Sequence, residues 1–305
     1  MQFPSAAIDL GTNTSRLLIG YADADRTIRP VLYMRRITRL GGGFTKEGGI
    51  SAEAGERTVA ALRDFAAEIR RHRIARIRAV ATSAVRDAVN RIEFCAQILN
   101  ESGIEIEIID GETEGLLTLG GVLAGVDKGP ADFLVFDVGG GSTEYTLACS
   151  DKVLFTESIP LGVVRLTEGK ITLPAMEEKI LRELRTLREK LGGKGLLPRL
   201  ENAVLVGTAG TATTLAAISM EMTDYDYRRV NNYVMEMEEI RNIYAKLLPM
   251  PPEKRLMVPG VERGREDLII AGMLITMKTM ELFGFRQLKV SDFGLLEGVL
   301  LGVCG

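Results

Sequence analysis

The stretch Ile8-Asp9-Leu10-Gly11-Thr12-Asn13-Thr14-Ser15 has a counterpart 128 residues later, in Phe136-Asp137-Val138-Gly139-Gly140-Gly141-Ser142-Thr143. Both stretches read as an apolar residue, Asp, an apolar residue, Gly, two small or amide residues and two hydroxyl residues. A short apolar run precedes each copy, and a second strand-like run follows it. The repeated unit is therefore predicted to be a strand, a glycine turn and a second strand.

The elements downstream of the two copies follow a common order as well. Apolar periodicity predicts β-β-β-α-β-α-β-α in each half, with a helix opened by Ser51, a strand at residues 104–109 and a long helix over residues 174–191. Gly and Pro interrupt the helical pattern at residues 123–130. We therefore expect an α/β fold of two duplicated lobes, residues 1–125 and 126–305, which face each other across a cleft, with the last helix packed back on the first lobe.

Charge and cysteine content exclude several classes of protein. With 38 Lys and Arg against 41 Asp and Glu, the net charge of −3 lacks the basic excess of a dedicated nucleic-acid binder. Three scattered cysteines and one histidine, His72, argue against a disulfide framework and a zinc centre. His72 is expected to be solvated or to cap a helix end.

With no signal peptide or transmembrane window in the sequence, a cytoplasmic protein without a membrane partner is expected.

Both glycine turns suit an oxygen-rich anion such as phosphate, because their backbone N–H groups can approach a ligand closely. Three consecutive glycines contribute nothing to packing, which favours a phosphate cradle over a plain hairpin turn at the second copy. A strand rather than a helix follows them, unlike a dinucleotide-binding fingerprint, and the chain has no Walker-type sequence. The residues assigned to phosphate binding are Gly11, Thr12, Asn13, Thr14, Ser15, Gly139, Gly140, Gly141, Ser142 and Thr143.

Asp9 and Asp137 each end a buried strand beside a glycine turn. A single Asp at such a place is equally well explained as a cap of its own turn. Two copies, one in each lobe, favour ligands for a hard divalent cation such as Mg²⁺, which combines a few carboxylates with phosphate oxygens. Glu144, directly after the second hydroxyl pair, can join them.

Two further glycine clusters have weaker assignments. The cluster at residues 206–214 follows a strand and opens a helix, so its N–H groups and hydroxyls suit a phosphate or a nucleoside. Close packing of the helix on the sheet is the alternative explanation. The residues concerned are Gly207, Thr208, Gly210 and Thr211. The cluster at residues 41–44 is predicted to be a mobile surface loop without a role.

Charged residues also follow two strands of the first half. Arg86 leaves the strand that ends at Ala81, at the position where open α/β sheets bind their ligands. Residues 110–115 likewise leave a strand and start a helix. Glu112 or Glu114 could merely complement the dipole of that helix, so a structural and a catalytic role both stay open on these grounds.

Together these segments resemble the exopolyphosphatase/guanosine pentaphosphate phosphatase family, within the superfamily of sugar kinases, heat-shock ATPases and actin. The resemblance covers the whole chain and is most specific at residues 7–14 and 137–144; it extends to residues 81–88, 110–114, 207–211 and 291–298. It implies two actin-like, ribonuclease H-like lobes. It also implies a magnesium-dependent phosphohydrolase that releases terminal orthophosphate from inorganic polyphosphate or guanosine pentaphosphate.

The resemblance implies roles for individual residues. Glu114 matches the acidic residue that is taken as the base activating water. Arg86 matches an arginine that grips phosphate together with the glycine turns. Asp137 and Glu144 match catalytic acids that bind magnesium or position water, and Asp9 is expected to assist as a metal ligand.

This chain departs from the family pattern at Thr113, where a second Glu is common, and at Leu116, where Arg is common. The base is retained, but one acidic neighbour and one phosphate-side cation are replaced, so we expect the substrate preference or the rate to differ. The extra helical domains of longer members are not expected. Arg35, Arg36 and Arg39 could supply a basic track for a long polymer, although such runs are usually solvated faces.

Two other functions stay open. The altered segment at residues 112–116 is compatible with a non-catalytic sensor of polyphosphate or an alarmone. A small-molecule kinase of the same superfamily has weaker support, because no large substrate-domain insertion is present. The expected partners are polyphosphate or guanosine pentaphosphate, with no nucleic acid, no membrane and a homodimer left open.

Overall fold

Two β-sheets carry the two glycine turns. The computed structural model describes residues 3–127, 132–169 and 172–304. The chain divides into a first unit, residues 1–124 with 294–305, and a second unit, residues 125–293. The expected ranges, 1–125 and 126–305, differ from these units at the seam and in the last segment. Residues 128–130 of the predicted interruption lie outside the described residues.

A five-stranded sheet forms the centre of the first unit. The elements up to the seam are β1 (Ser5–Leu10), β2 (Thr14–Ala22), β3 (Ile28–Ile37), α1 (Ala52–Arg71), β4 (Arg76–Ala81), α2 (Ser83–Arg86), α3 (Arg91–Ser102), β5 (Glu107–Ile108) and α4 (Gly111–Gly125). The strand order is β3-β2-β1-β4-β5. β1 is antiparallel to β2 and parallel to β4, and β4 is parallel to β5. All residues of β1 are buried, as in a central strand covered on both faces.

A six-stranded sheet forms the centre of the second unit. Its elements are β6 (Asp132–Val138), β7 (Thr143–Cys149), β8 (Lys152–Ile159), α5 (Val163–Glu168), α6 (Leu173–Gly193), α7 (Leu197–Leu200), β9 (Val204–Thr208), α8 (Ala209–Ser219), α9 (Tyr227–Val230), β10 (Val234–Glu236), α10 (Met237–Leu247), α11 (Pro252–Arg255), α12 (Ile269–Phe283) and β11 (Gln287–Val290). The strand order is β10-β11-β9-β6-β7-β8. Without the edge strand β10, the order and the strand directions repeat those of the first sheet. The predicted duplication of one α/β unit is confirmed.

The last helix, α13 (Leu295–Cys304), completes the core of the first unit. Its leucines pack in one apolar cluster with Ala7 of β1, Leu18 of β2 and Val80 of β4. Gly298 of α13 lies so close to α4 that a Cβ atom there would overlap the carbonyl group of Leu117. Residues 294–305 therefore pack with the first unit.

Local signals that mark element ends agree with the structure. Ser51 is the N-cap of α1, and its Oγ accepts a hydrogen bond from Ala54 N at 3.4 Å. His72 is the C-cap residue of the same helix. A proline stands in the first turn of α6, where its fixed φ fits a helix start.

The largest difference from the predicted elements concerns the strand expected at residues 104–109. Only Glu107 and Ile108 pair with β4, opposite Val80 and Ala81, because β5 is the edge strand and meets β4 only at its carboxyl end. The edge strand β10 and the one-turn helices α2, α7, α9 and α11 have too few residues for a periodic signal and were not predicted. Of the helices in the described ranges, none has the length and apolar character needed to cross a membrane.

Candidate active site

The carboxyl ends of three parallel strands meet at one edge of the first sheet. β1, β4 and β5 run in the same direction, with Leu10 beside Ala81 and Ala81 beside Ile108. The first glycine turn follows β1, the Arg86 segment follows β4 and the Glu114 segment follows β5. Thr12 Oγ1 lies 3.1 Å from Ser83 Oγ, which links the first two segments. The sheet thus brings together the three segments of the first half that the sequence assigns to phosphate chemistry.

Arg86 and Glu114 form an ion pair at this edge. Arg86 Nη1 donates to Glu114 Oε2 at 3.0 Å and to the carbonyl oxygen of Ile109 at 3.0 Å. Glu114 is only 6% exposed, so the guanidinium compensates the burial of its charge. Within the described ranges, Arg86 Nε and Nη2 donate no hydrogen bond. The guanidinium therefore keeps donors for an oxygen-rich ligand beside the carboxylate.

The two departures from the family pattern lie in the first turns of α4. Thr113 N donates to Asp110 Oδ1 at 2.8 Å, and this backbone hydrogen bond lowers the pKa of Asp110. Leu116 is 42% exposed on the same helix. The altered residues thus change the surface next to Glu114, while the contact of Glu114 with Arg86 is retained.

Asp9 is held by an arginine that the sequence analysis missed. Asp9 and Arg16 are directly opposite each other on β1 and β2. Arg16 Nε donates to Asp9 Oδ2 at 2.9 Å, and Arg16 Nη2 contacts the same oxygen. Burial by itself lowers the pKa of Arg16, but the carboxylate of Asp9 opposes this and the net shift is upward. Asp9 Oδ1 is buried and has no hydrogen-bond partner among the described residues.

The first glycine turn is fixed by its own backbone and by the loop at residues 41–44. Gly11 N donates to the carbonyl oxygen of Thr14 at 3.1 Å. Gly41 N donates to the carbonyl oxygen of Thr12 at 2.8 Å, and Arg39 N donates to that of Asn13 at 2.9 Å. The loop that we expected to be without a role is therefore bonded directly to the first turn.

The carboxyl ends of β6, β9 and β11 meet at one edge of the second sheet in the same way. Asp137 at the end of β6 is paired with Thr208 at the end of β9, and Gly207 is paired with Val290 of β11. The second glycine turn follows β6, and the cluster at residues 206–214 follows β9. The predicted residues of the second half therefore share one edge as well.

The second glycine turn presents backbone donors that have no acceptor among the described residues. Gly139 N donates to the carbonyl oxygen of Ser142 at 3.0 Å. The carbonyl oxygens of Gly139 and Gly140 accept hydrogen bonds from Val163 N at 3.0 Å and Val164 N at 2.9 Å, in the first turn of α5. In the described part of the chain, the N–H groups of Gly140, Gly141 and Ser142 meet no acceptor. Successive free N–H groups in a turn form an anion-binding concavity.

Asp137 and Glu144 are opposite each other on β6 and β7. Both residues are buried, at 7% and 2% exposure. Ser142 Oγ donates to Glu144 Oε1 at 2.6 Å, and Ser158 Oγ donates to the same oxygen at 2.7 Å. Two acidic side chains thus stand directly opposite each other on neighbouring strands.

The carboxylates of Asp137 and Glu144 are the type of ligand that a magnesium ion prefers. Hard carboxylate oxygens are its preferred protein ligands, and it commonly takes one or two carboxylates together with water and phosphate oxygens. Among the residues that the structure describes, no group of three or more His, Cys, Asp or Glu side chains is placed to hold a metal. Of the described residues, the second unit therefore brings two carboxylates to this position, from Asp137 and Glu144.

Packing explains part of the cluster at residues 206–214. A Cβ atom on Gly207 would lie 3.0–3.1 Å from Leu288, Ala212 and Phe136, which is tighter than ordinary contact, so this glycine favours close helix-to-sheet packing. Gly210 lies against the guanidinium of Arg265, which would overlap a Cβ atom at that position. Thr208 Oγ1 donates to the carbonyl oxygen of Phe293 at 3.0 Å. The packing alternative is thus supported at Gly207, while Arg265 brings a cation to the start of α8.

Sequence reasoning missed three residues at these edges: Arg16, Ser158 and Arg265. The hairpin register could have revealed the first, since a turn over residues 11–14 places Arg16 opposite Asp9. No local signal marks the other two. Ser158 reaches Glu144 from the third strand of the meander, and Arg265 reaches Gly210 across more than fifty residues.

A duplicated unit with this strand order, with glycine turns and acidic residues at the carboxyl edge of each sheet, places the chain in the actin-like, ribonuclease H-like class. The sequence pattern of the Ppx/GppA phosphatase family matches residues 21–305. The chain belongs to this family and is therefore a phosphatase.

Relatives and solved structures support the assignment over nearly the full chain. Exopolyphosphatase 2 of Mycobacterium tuberculosis is 35% identical over 314 aligned residues, which cover 98% of this chain and 98% of the relative. The crystal structure of the Ppx/GppA family member of Aquifex aeolicus has a TM-score of 0.77 at 33% identity and covers 98% of this chain and 97% of its own. An exopolyphosphatase structure from Cytophaga hutchinsonii has a TM-score of 0.89 at 25% identity, with 99% and 98% coverage.

Proposed function

We propose that this phosphatase releases terminal orthophosphate from inorganic polyphosphate, and that guanosine pentaphosphate is an alternative substrate of the same chemistry. The contact of Arg86 with Glu114 carries the proposal. It places a carboxylate that can accept a proton beside a guanidinium with spare donors, at the strand edge where the first glycine turn ends. The full-length similarity to an exopolyphosphatase supports polyphosphate as the substrate.

In the proposed reaction a water molecule attacks the terminal phosphorus atom. Glu114 takes up a proton from this water, the bridging P–O bond breaks, and the shortened chain leaves with the electron pair on its terminal oxygen. Arg86 of the first unit binds a phosphoryl oxygen through Nε and Nη2. The N–H groups of Gly140 to Ser142 are a separate candidate for phosphate binding in the second unit. Catalysis then consists mainly of positioning and electrostatic stabilisation.

Mg²⁺ is part of the proposal. Asp137 and Glu144 would hold it in the second unit. The metal-ligand role expected of Asp9 in the first unit stays a prediction. When bound, the ion neutralises charge on phosphate oxygens. A cytoplasmic location and the absence of a nucleic-acid partner stay predictions.

Replacing the proposed base tests the mechanism. In Glu114→Gln, orthophosphate release should fall by about 10³-fold, because general-base catalysis typically contributes 10²–10⁴. Polyphosphate binding, measured by calorimetry on the same protein, should stay within about threefold. The matched control is Glu112→Gln, on the exposed side of the same helix start, which should keep full turnover. Unchanged turnover in Glu114→Gln would remove Glu114 from its role.

Comparing substrates tests the assignment of the reaction. Orthophosphate release is measured from polyphosphate, guanosine pentaphosphate and ATP, each with and without Mg²⁺. We expect Mg²⁺-dependent release from polyphosphate with water as the only acceptor. Binding without release would identify a sensor instead, and a requirement for an added acceptor would identify a kinase.

A further inference from the structure

Ser158 lies on β8, opposite Glu144 of β7 in the antiparallel ladder. Its Oγ donates to Glu144 Oε1 at 2.7 Å, and Ser142 Oγ donates to the same oxygen at 2.6 Å. Both distances are those of short O–H···O⁻ hydrogen bonds, which are stronger than neutral ones. One oxygen of a buried carboxylate thus receives two hydroxyl donors from two different segments.

The two hydroxyls differ in what else they can contact. Ser142 is the last residue of the second glycine turn, the segment proposed to bind phosphate. Ser158 stands on a strand that is paired with β7 from Lys152 to Ile159, outside that turn. A phosphate ligand can therefore engage Ser142, while the hydrogen bond from Ser158 is set by the β7–β8 ladder alone.

We propose that Ser158 is a positioning residue that fixes the orientation of the Glu144 carboxylate beside Asp137 for divalent-cation binding. The proposal rests on the proposed function, in which Asp137 and Glu144 hold Mg²⁺. Groups that hydrogen-bond to a ligating carboxylate orient it, and their removal typically weakens metal affinity by 10–100-fold. Ser158 acts through Glu144 and has no contact role with the substrate.

The chain contains a matched control two residues away. Thr156 of β8 and Thr146 of β7 are paired in the same ladder, and their Oγ1 atoms are 3.1 Å apart. They share a sheet face with Ser158 and Glu144, because alternate residues of a strand point to the same side. Thr156→Val removes a hydroxyl from the same hairpin without touching the carboxylate.

The test is the affinity for Mg²⁺ alone, measured by calorimetry on the substrate-free full chain. Ser158→Ala should raise the Kd for Mg²⁺ by about tenfold, and the Mg²⁺ concentration for half-maximal phosphate release should rise by a similar factor with kcat nearly restored at saturation. Ser158→Thr, which keeps the hydroxyl, should recover an affinity within about threefold of the wild type. Thr156→Val should leave the Kd unchanged.

Glu144→Gln separates failure of this inference from failure of the proposed function. If Glu144→Gln weakens Mg²⁺ binding and Ser158→Ala does not, Ser158 has no positioning role and the proposed metal site stands. If Glu144→Gln leaves Mg²⁺ binding unchanged, the metal-binding role of Glu144 is wrong and the role of Ser158 fails with it. An equal loss of affinity in Thr156→Val and Ser158→Ala would show a general weakening of the hairpin and overturn the inference.

Discussion

The two glycine turns share one backbone hydrogen bond and differ in the residue opposite the preceding Asp. Gly11 N bonds to the carbonyl oxygen of Thr14 at 3.1 Å, and Gly139 N bonds to that of Ser142 at 3.0 Å. Each turn follows a central strand whose second-last residue is Asp. The residue opposite that Asp on the next strand is Arg16 in the first unit and Glu144 in the second.

This difference divides the chemistry between the two copies. In the first unit the charge of Asp9 is met by Arg16 within the hairpin itself. In the second unit two carboxylates, those of Asp137 and Glu144, oppose each other, and this pair is the proposed cation site. The two copies thus share the turn, while the residue opposite the Asp is basic in the first copy and acidic in the second.

Measuring the stability of Asp9 and Asp137 variants gives the strongest test of this difference between the two units. Asp9→Asn removes the carboxylate that is paired with the Arg16 guanidinium in a largely buried position. We therefore expect a loss of about 3 kcal/mol in the free energy of unfolding. That figure is at the low end for a buried pair because the Arg16 side chain is 21% exposed. Urea unfolding at neutral pH with a chelator present measures it.

Asp137→Asn is the paired variant and should behave differently. It removes one of two opposed carboxylates, so without divalent cations we expect a change of less than about 1 kcal/mol. Adding Mg²⁺ should stabilise the wild type more than Asp137→Asn, since a ligand stabilises the state that binds it. Equal destabilisation by the two substitutions would show that the two aspartates are structurally equivalent, and the comparison would fail.

The support behind the second turn offers a further test. The carbonyl groups of the first turn accept from the loop at residues 39–41, whereas those of the second accept from the first turn of α5. Gly162, the N-cap residue of α5, lies against Gly140 and Gly141 so closely that a Cβ atom would overlap their backbone. Gly162→Ala should therefore cost about 2–3 kcal/mol of stability through overpacking and weaken orthophosphate binding to the second turn.

Gly193→Ala is the matched control for Gly162→Ala. Gly193 ends α6, and a Cβ atom there would meet nothing within 4 Å. We expect this variant to be neutral or stabilised by up to about 1 kcal/mol, because alanine restricts the unfolded chain more than glycine does. Differential scanning calorimetry compares the two, and a Gly162→Ala protein as stable as Gly193→Ala would remove α5 as the support of the turn.

Much of the fold could be predicted because its signals are local. The repeated Asp-x-Gly pattern identifies both hairpins, and Ser51 marks the start of α1 by the side-chain cap that it makes. The contact of Arg86 with Glu114 could not be predicted from local signals, because it depends on the parallel pairing of β4 and β5. β5 is only two residues long. Pairing between distant strands is a tertiary property that single-sequence periodicity does not specify.

The site was predictable in its residue types and not in its charge balance. Asp9 and Asp137 look alike in sequence, and both were expected to bind a cation. The arginine that distinguishes them lies on the neighbouring strand, so its effect appears only once the strand register is known. Ser158 and Arg265 were missed for the same reason. Each side chain reaches the carboxyl edge of the second sheet from a segment that carries no recognisable motif.

The smallest expected effect concerns the helix starts at the two edges. Asp110 caps α4 through the hydrogen bond from Thr113 N, whereas α8 has no side-chain cap hydrogen bond. Asp110→Ala should cost about 1 kcal/mol of stability at neutral pH. The pKa of Asp110 is lowered by this bond in the folded state, so the contribution is complete above the unfolded-state pKa of about 4 and is lost as the pH falls through the folded-state value.

Asp110→Asn keeps a side-chain oxygen acceptor and removes the titration, so its stability difference from Asp110→Ala should not depend on pH. The difference between the wild type and Asp110→Ala, measured by urea unfolding from pH 7 down to pH 3, should shrink on acidification. A difference that stays constant over this range would mean that the carboxylate does not cap α4. The two helix starts would then be alike, and the contrast between the two units would be confined to the residues opposite Asp9 and Asp137.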